Sequence, residues 1–163
     1  MKLIFLILFP VFVYAASLDM FPRSLYVGPW TSFTPTGSWS ANTTYTGLYR
    51  QVGQNYEYDI LVSTSGAPTT ATLTVTLNAT IDTTKMTSTT NFIMDLGHAS
   101  VVDGSTQYYQ GAVRYASTTT VGVFLYNASG TYAVAASVDQ ATPFTFGSSD
   151  FVHLKFTVPI VGL

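Results

Sequence analysis

Residues 151–160 read "FVHLKFTVPI". Val152, Leu154, Phe156, Val158 and Ile160 take alternate positions, with His153, Lys155 and Thr157 between them. A period of two sends the first set to one face of an extended chain and the second to the other, so this is a strand with one face in a core. Pro159 lacks a ladder donor and marks an edge or the strand's end. "TLTVTLN", residues 72–78, repeats the pattern: Leu73, Val75 and Leu77 face inward, and Thr72, Thr74 and Thr76 form a solvated threonine face. Alternation also predicts strands near 46–51, 55–63, 99–102, 107–115, 119–126, 131–137 and 143–146. Turn residues separate them at Ser65-Gly66-Ala67-Pro68, Asp103-Gly104, Asn127-Ala128-Ser129-Gly130 and Gly147-Ser148-Ser149-Asp150. No segment carries sustained helical periodicity, which excludes a parallel α/β sheet and its nucleotide crevice. The fold expected is all-β: an antiparallel β-sandwich of about 8–10 strands.

With 163 residues, 47% of them apolar, the chain can close one core. Only 9% of residues are charged, so the polar surface is made of hydroxyls and amides. Six basic residues scattered from Lys2 to Lys155, at net charge −2, leave no basic face for nucleic acid. The start, "MKLIFLILFPVFVYA", joins one Lys to an apolar run ending in Val13-Tyr14-Ala15, the pattern of a secretory signal cleaved after Ala15. The run falls short of the roughly 20 residues that span a bilayer, so no stable membrane insertion is expected after cleavage. The domains expected are therefore a signal at 1–15, an extended leader at 16–36 that packs along the domain or links it onward, and a β-sandwich at 37–163. With no Cys, disulfides and thiolate metal sites are both excluded, and stability must come from packing or assembly.

Arg50, Glu57 and Asp59 stand among aromatics in "ANTTYTGLYRQVGQNYEYDILV", residues 41–62. Tyr56, Tyr58, Ile60 and Val62 share one strand face, and Glu57, Asp59 and Leu61 the other. The short Val52-Gly53-Gln54-Asn55 connection folds Arg50 back toward Glu57 or Asp59, giving an ion pair that registers strands or subunits. Catalysis finds little support. His98 and His153 are the two imidazoles and lie far apart in sequence, without ligand-spaced partners. Asp150 and His153 fall on opposite faces, "DLGH" at 95–98 reads as a loop, and there is no nucleophile elbow. Asp103 is a loop carboxylate able to touch calcium, but no EF-hand-like run is present, and neither metal nor cofactor is expected. Asn42-Thr43-Thr44, Asn78-Ala79-Thr80 and Asn127-Ala128-Ser129 match the N-glycosylation pattern, which arises by chance in a threonine-rich chain.

"GSWSANTTYTGLYRQVGQNYEYDILVSTSGAPTTATLTVTLNATIDTTKM", "GHASVVDGSTQYYQGAVRYASTTTVGVFLYNASGTYAV" and "TPFTFGSSDFVHLKFTVPIVGL" resemble the receptor-binding domain at the C-terminal tips of phage tail fibres. The resemblance covers residues 34–163 and is carried by Trp39, Tyr45-Thr46-Gly47, Tyr49-Arg50, Val52-Gly53 and the ending from Pro143-Phe144 through Pro159-Ile160. It implies a jelly-roll-like form of the sandwich and a homotrimeric adhesive head, a role also filled by secreted bacterial adhesins, with a cell-surface glycan or protein receptor as partner. Tail-fibre tips usually follow a long shaft and are not exported. The signal here therefore favours a secreted or cell-surface head, periplasmic if retained, over a virion part.

For such a head the ligand candidates lie around "DGSTQYYQGAVRY". Adjacent Tyr108 and Tyr109 must point to opposite faces of a strand, so one can stack on a sugar while Asp103, Gln107, Gln110 and His98 offer hydrogen bonds. Arg50, Glu57, Asp59 and Trp39 are assigned to structure and assembly. The alternatives are a fibre, coat or matrix subunit that binds only protein and, less favoured, a secreted hydrolase.

Overall fold

The computed structural model describes residues 26–90, 94–104, 106–127 and 134–163. The expected signal, the first part of the leader and residues 128–130 of the expected turn lie outside them. The described chain is all-β and antiparallel, as the alternation predicts. Its strands are β1 Thr31–Phe33, β2 Thr36–Gly37, β3 Thr43–Val52, β4 Asn55–Ser65, β5 Thr74–Thr76, β6 Asp95–Asp103, β7 Gln107–Tyr115, β8 Thr120–Asn127, β9 Val134–Ser137 and β10 Ser148–Pro159. One 3-10 turn, Thr83–Lys85, is capped by Asp82, whose carboxylate accepts from the Thr84 N–H at 3.1 Å.

The order β1-β3-β4-β10-β6-β7-β8-β5-β2 describes a sheet that curls onto itself. Strands β3 and β4 form the long hairpin, with Gly53 at φ 62 supplying the positive φ its turn needs. Strand β10 lies between β4 and β6, joining the two halves of the chain. The free edge of β8 is shared, its start pairing with β5 and its end with β9. Strands β1 and β2 stand at opposite ends of this order, yet only Thr34 and Pro35 separate them. Three backbone steps span at most about 11 Å, so the two ends of the sheet must meet and its layers face each other as a sandwich. The seam is tight. The Tyr45 hydroxyl donates to the Trp39 carbonyl at 2.9 Å and accepts from the Trp39 N–H at 3.2 Å. A Cβ at Gly37 would lie 2.3 Å from the Thr74 carbonyl oxygen and 2.5 Å from the Tyr45 hydroxyl.

The core fills the space inside the curl. Its main layer carries Tyr58, Ile60, Val62, Val101, Val113, Leu154, Phe156 and Val158, all nearly inaccessible. Leu73, Val75, Ile81, Val138 and Phe146 close it from the other side. Each such side chain contributes about 1.5–3 kcal/mol by leaving water. Trp39 packs edge-on against Phe146 at 4.9 Å, and its indole N–H donates to the Ala71 carbonyl at 2.8 Å. The inward sets read from residues 72–78 and 152–160 are buried as predicted.

Three local expectations differ. Residues 143–146 are not a strand: the backbone turns at Asp139–Thr142, the Thr142–Pro143 peptide is cis, and Phe144 stacks on Phe146 as a plug over the core. "DLGH" is not a loop but the start of β6, where a shift in register between Asp95 and Gly97 hides its alternation. In the stretch expected to be leader, Val27 bridges to Val52 and β1 pairs with β3, so residues 27–36 belong to the sandwich.

Candidate functional site

The outer face of β4, β10, β6 and β7 brings together both histidines with Glu57, Asp59, Lys155, Asp95 and Arg114, because alternation buries the intervening residues. At one end Arg50 lies across from Glu57 and donates to its Oε2 from Nε at 2.7 Å and from Nη2 at 2.6 Å. The guanidinium also stacks over the Trp30 ring, 4.5 Å from its centroid, and Lys155 approaches the other Glu57 oxygen at 3.9 Å. One row further along, Asp59 Oδ1 contacts His153 Nε2 at 2.8 Å. Of the two partners expected for Arg50, Glu57 is the one it meets.

On the neighbouring strands His153 lies across from Ser100, and Lys155 across from His98. His98 Nε2 meets Ser100 Oγ at 3.1 Å, and Ser100 Oγ meets Tyr108 Oη at 2.7 Å. Ser100 is buried while Tyr108 is 57% exposed, so the hydroxyl end of an exposed ring is tethered to a fixed strand. Gln110 is exposed beside it, on the same face. Tyr126, 48% exposed on β8, hydrogen-bonds Asp95 and lies beneath Arg114, whose guanidinium is 5.6 Å from its ring. Arg114 Nε donates to Asp95 at 2.6 Å. Burial works against ionising Asp95, but hydrogen bonds from Tyr126 and Arg114 and the Arg114 charge outweigh it and hold this carboxyl below its ordinary range.

The six ligand candidates therefore divide. His98, Tyr108 and Gln110 share the outer face, whereas Tyr109 turns inward onto Phe144 and bonds Gln107. Asp103 sits at the hairpin tip, accepting from the Thr106 hydroxyl at 2.8 Å. Asp150, predicted to lie apart from His153, is buried and accepts from the N–H groups of Gly104 and Gly147 at 2.8 and 2.6 Å. Sequence reasoning missed Ser100, Tyr126 and the Asp59–His153 pair. Ser100 was findable, since it shares the parity of His98 once residues 95–103 are read as a strand. The other two depend on strand order.

Ser100 and Asp59 bond different imidazoles, so this face does not assemble a Ser-His-Asp relay. Among the described residues no group of three or more His, Asp or Glu is placed to hold a metal ion. A groove of about 410 Å³ lies beyond β4, lined by Phe33, Leu48, Asp59 and Leu61, with Leu48 42% and Leu61 36% exposed. No family model, curated protein or solved structure matches the chain. The resemblance to tail-fibre tips thus rests on the residues quoted above.

Proposed function

We propose that the chain is an exported homotrimeric head that binds a cell-surface glycan through the outer face around Tyr108. The placement of Tyr108 carries the reading. An aromatic ring 57% exposed yet held at its hydroxyl offers a sugar a flat apolar surface already ordered before binding. Gln110 supplies an amide beside it, and Tyr126 a second aromatic on the next strand. Three such sites on one head would raise avidity by orders of magnitude, about 10²–10⁴-fold where the geometry allows simultaneous contact. The groove with exposed Leu48 and Leu61 supports the assembly part, because a subunit contact would remove that apolar surface from water. Separation of serine and carboxylate onto different imidazoles supports binding over hydrolysis.

Glycan-array screening of the secreted protein tests the reading, with native mass measurement alongside. Binding to one glycan class, lost in Tyr108→Ala while the mass stays that of a trimer, is the expected result. A monodisperse monomer at micromolar concentration contradicts the trimer. The groove also favours a second reading, a fibre, coat or matrix subunit without a ligand of its own. That reading gains if no glycan binds and Leu48→Asp abolishes assembly.

A further inference from the structure

His98 Nε2, Ser100 Oγ and Tyr108 Oη form a row, joined at 3.1 and 2.7 Å, in which the placement of hydrogens is constrained. While His98 is neutral, Nε2 either accepts or donates according to tautomer, and the row can run in both directions. Once His98 is protonated only one direction remains. Nε2–H donates to Ser100 Oγ. The single Ser100 hydrogen, 6% exposed at its residue, turns to the Tyr108 oxygen, since a buried hydroxyl left without an acceptor is costly. The Tyr108 hydrogen is then released toward solvent as a donor. One proton is taken up at nitrogen, two hydroxyls rotate, and nothing else is made or broken.

The charges around His98 balance one another, so its own protonation sets the sign of the face. Lys155 lies across from it on β10, with His153 on the same face; Asp59 and Glu57 lie one strand further away, on β4; Arg114 and Tyr108 flank it on β7, and Asp95 shares its strand. Each carboxylate is engaged: Glu57 by Arg50, Asp59 by His153, and Asp95 by Arg114 and Tyr126. Arg50, Arg114 and Lys155 balance Glu57, Asp59 and Asp95, so the face is neutral until the two histidines take up protons. We infer that the glycan held at this face carries a carboxylate, and that acid strengthens its binding through His98. The inference rests on the glycan-binding reading above. A charged imidazole and an outward Tyr108 donor both favour an anionic acceptor, whereas a neutral sugar gains from neither.

Titration calorimetry of the full chain with a uronic-acid trisaccharide and with its carboxyl-reduced counterpart, at about pH 5.5 and pH 8, tests this across the range where histidines change charge. The acidic trisaccharide should bind roughly tenfold tighter in acid, and by reciprocity should raise the His98 titration midpoint followed by NMR, while the reduced sugar binds alike at both. His98→Gln should remove the pH dependence, with an unchanged thermal midpoint showing that the fold is kept. Equal affinity of the acidic sugar at both pH values, or an acid enhancement that persists in His98→Gln, overturns the inference. An array that finds only neutral glycans overturns it and leaves the glycan-binding reading standing. An array that finds no glycan overturns both.

Discussion

Asp150 shows how single polar residues hold the loops of this low-charge chain. Its two carboxylate oxygens serve the Gly104 and Gly147 N–H groups, tying the β6–β7 turn to the start of β10. Asp150→Ala would leave both donors unpaired and should cost about 3 kcal/mol in urea unfolding, with Asp150→Asn closer to wild type. Arg50 is different. Its side chain is 30% exposed, so in the separated chain Arg50→Ala should cost only about 1 kcal/mol. A much larger loss in the assembled protein would place the pair at a subunit seam, where removing one partner costs roughly 3–5 kcal/mol. Asp95 governs part of the acid limb. Its folded pKa lies below the unfolded value, so its stabilisation is complete above about pH 4 and is lost as pH falls through the folded value. With 46% of the side chain exposed, solvent screening keeps this under about 1 kcal/mol. Asp95→Asn should remove that much stability at neutral pH and flatten the loss below pH 4, as read from denaturation midpoints. The short turn made a contact of Arg50 with Glu57 or Asp59 legible in the sequence, and the register of the hairpin selects Glu57.

Strand elements succeed or fail by how their ends are closed. At β2 the Thr74 carbonyl and the Tyr45 hydroxyl occupy the space where a Gly37 side chain would begin. Gly37→Ala should therefore destabilise by about 1–3 kcal/mol and speed hydrogen exchange at Trp39 and Thr74, leaving the β3–β4 hairpin less affected. The short strands β1 and β2 escaped the alternation because two or three residues cannot display a period. β10 displays it from Phe151 onward and was read correctly there, whereas Ser148–Asp150, expected as a turn, open the strand through an irregularity with Ser149 at φ 72. Residues 143–146 misled for the opposite reason: Phe144 and Phe146 alternate with Thr145 but belong to a plug held by the bond from Phe146 N–H to the Gln140 carbonyl.

For the whole molecule, β10 is the keystone. It pairs with β4 over ten residues and with β6 over six, joining the first half of the chain to the second. A chain ending at Gly147 would lose this shared strand and expose the core faces of two others, and it should show neither near-UV circular dichroism nor a cooperative unfolding transition. Folding must wait for the C-terminal strand, so refolding should be slow, in milliseconds to seconds by stopped flow, as in other folds dominated by distant pairings.

The alternation in the sequence marks the long strands and, at residues 72–78 and 152–160, the side that meets the core, because a period of two is a local property that hydrophobic burial makes readable; β1, β2, the start of β6 and residues 143–146 escape it. The sequence also narrows the partner of Arg50 to Glu57 or Asp59 and sets the hydroxyl-rich character of the surface. Only the tertiary structure decided that β10 separates β4 from β6, that the sheet ends meet at Gly37, and that His98, Ser100 and Tyr108 share a face with Asp59 and His153. The Asp59–His153 contact alone joins residues 94 positions apart. Such juxtapositions follow from the order in which strands pair, which depends on the whole packed sheet and leaves no mark in the pattern of any one strand.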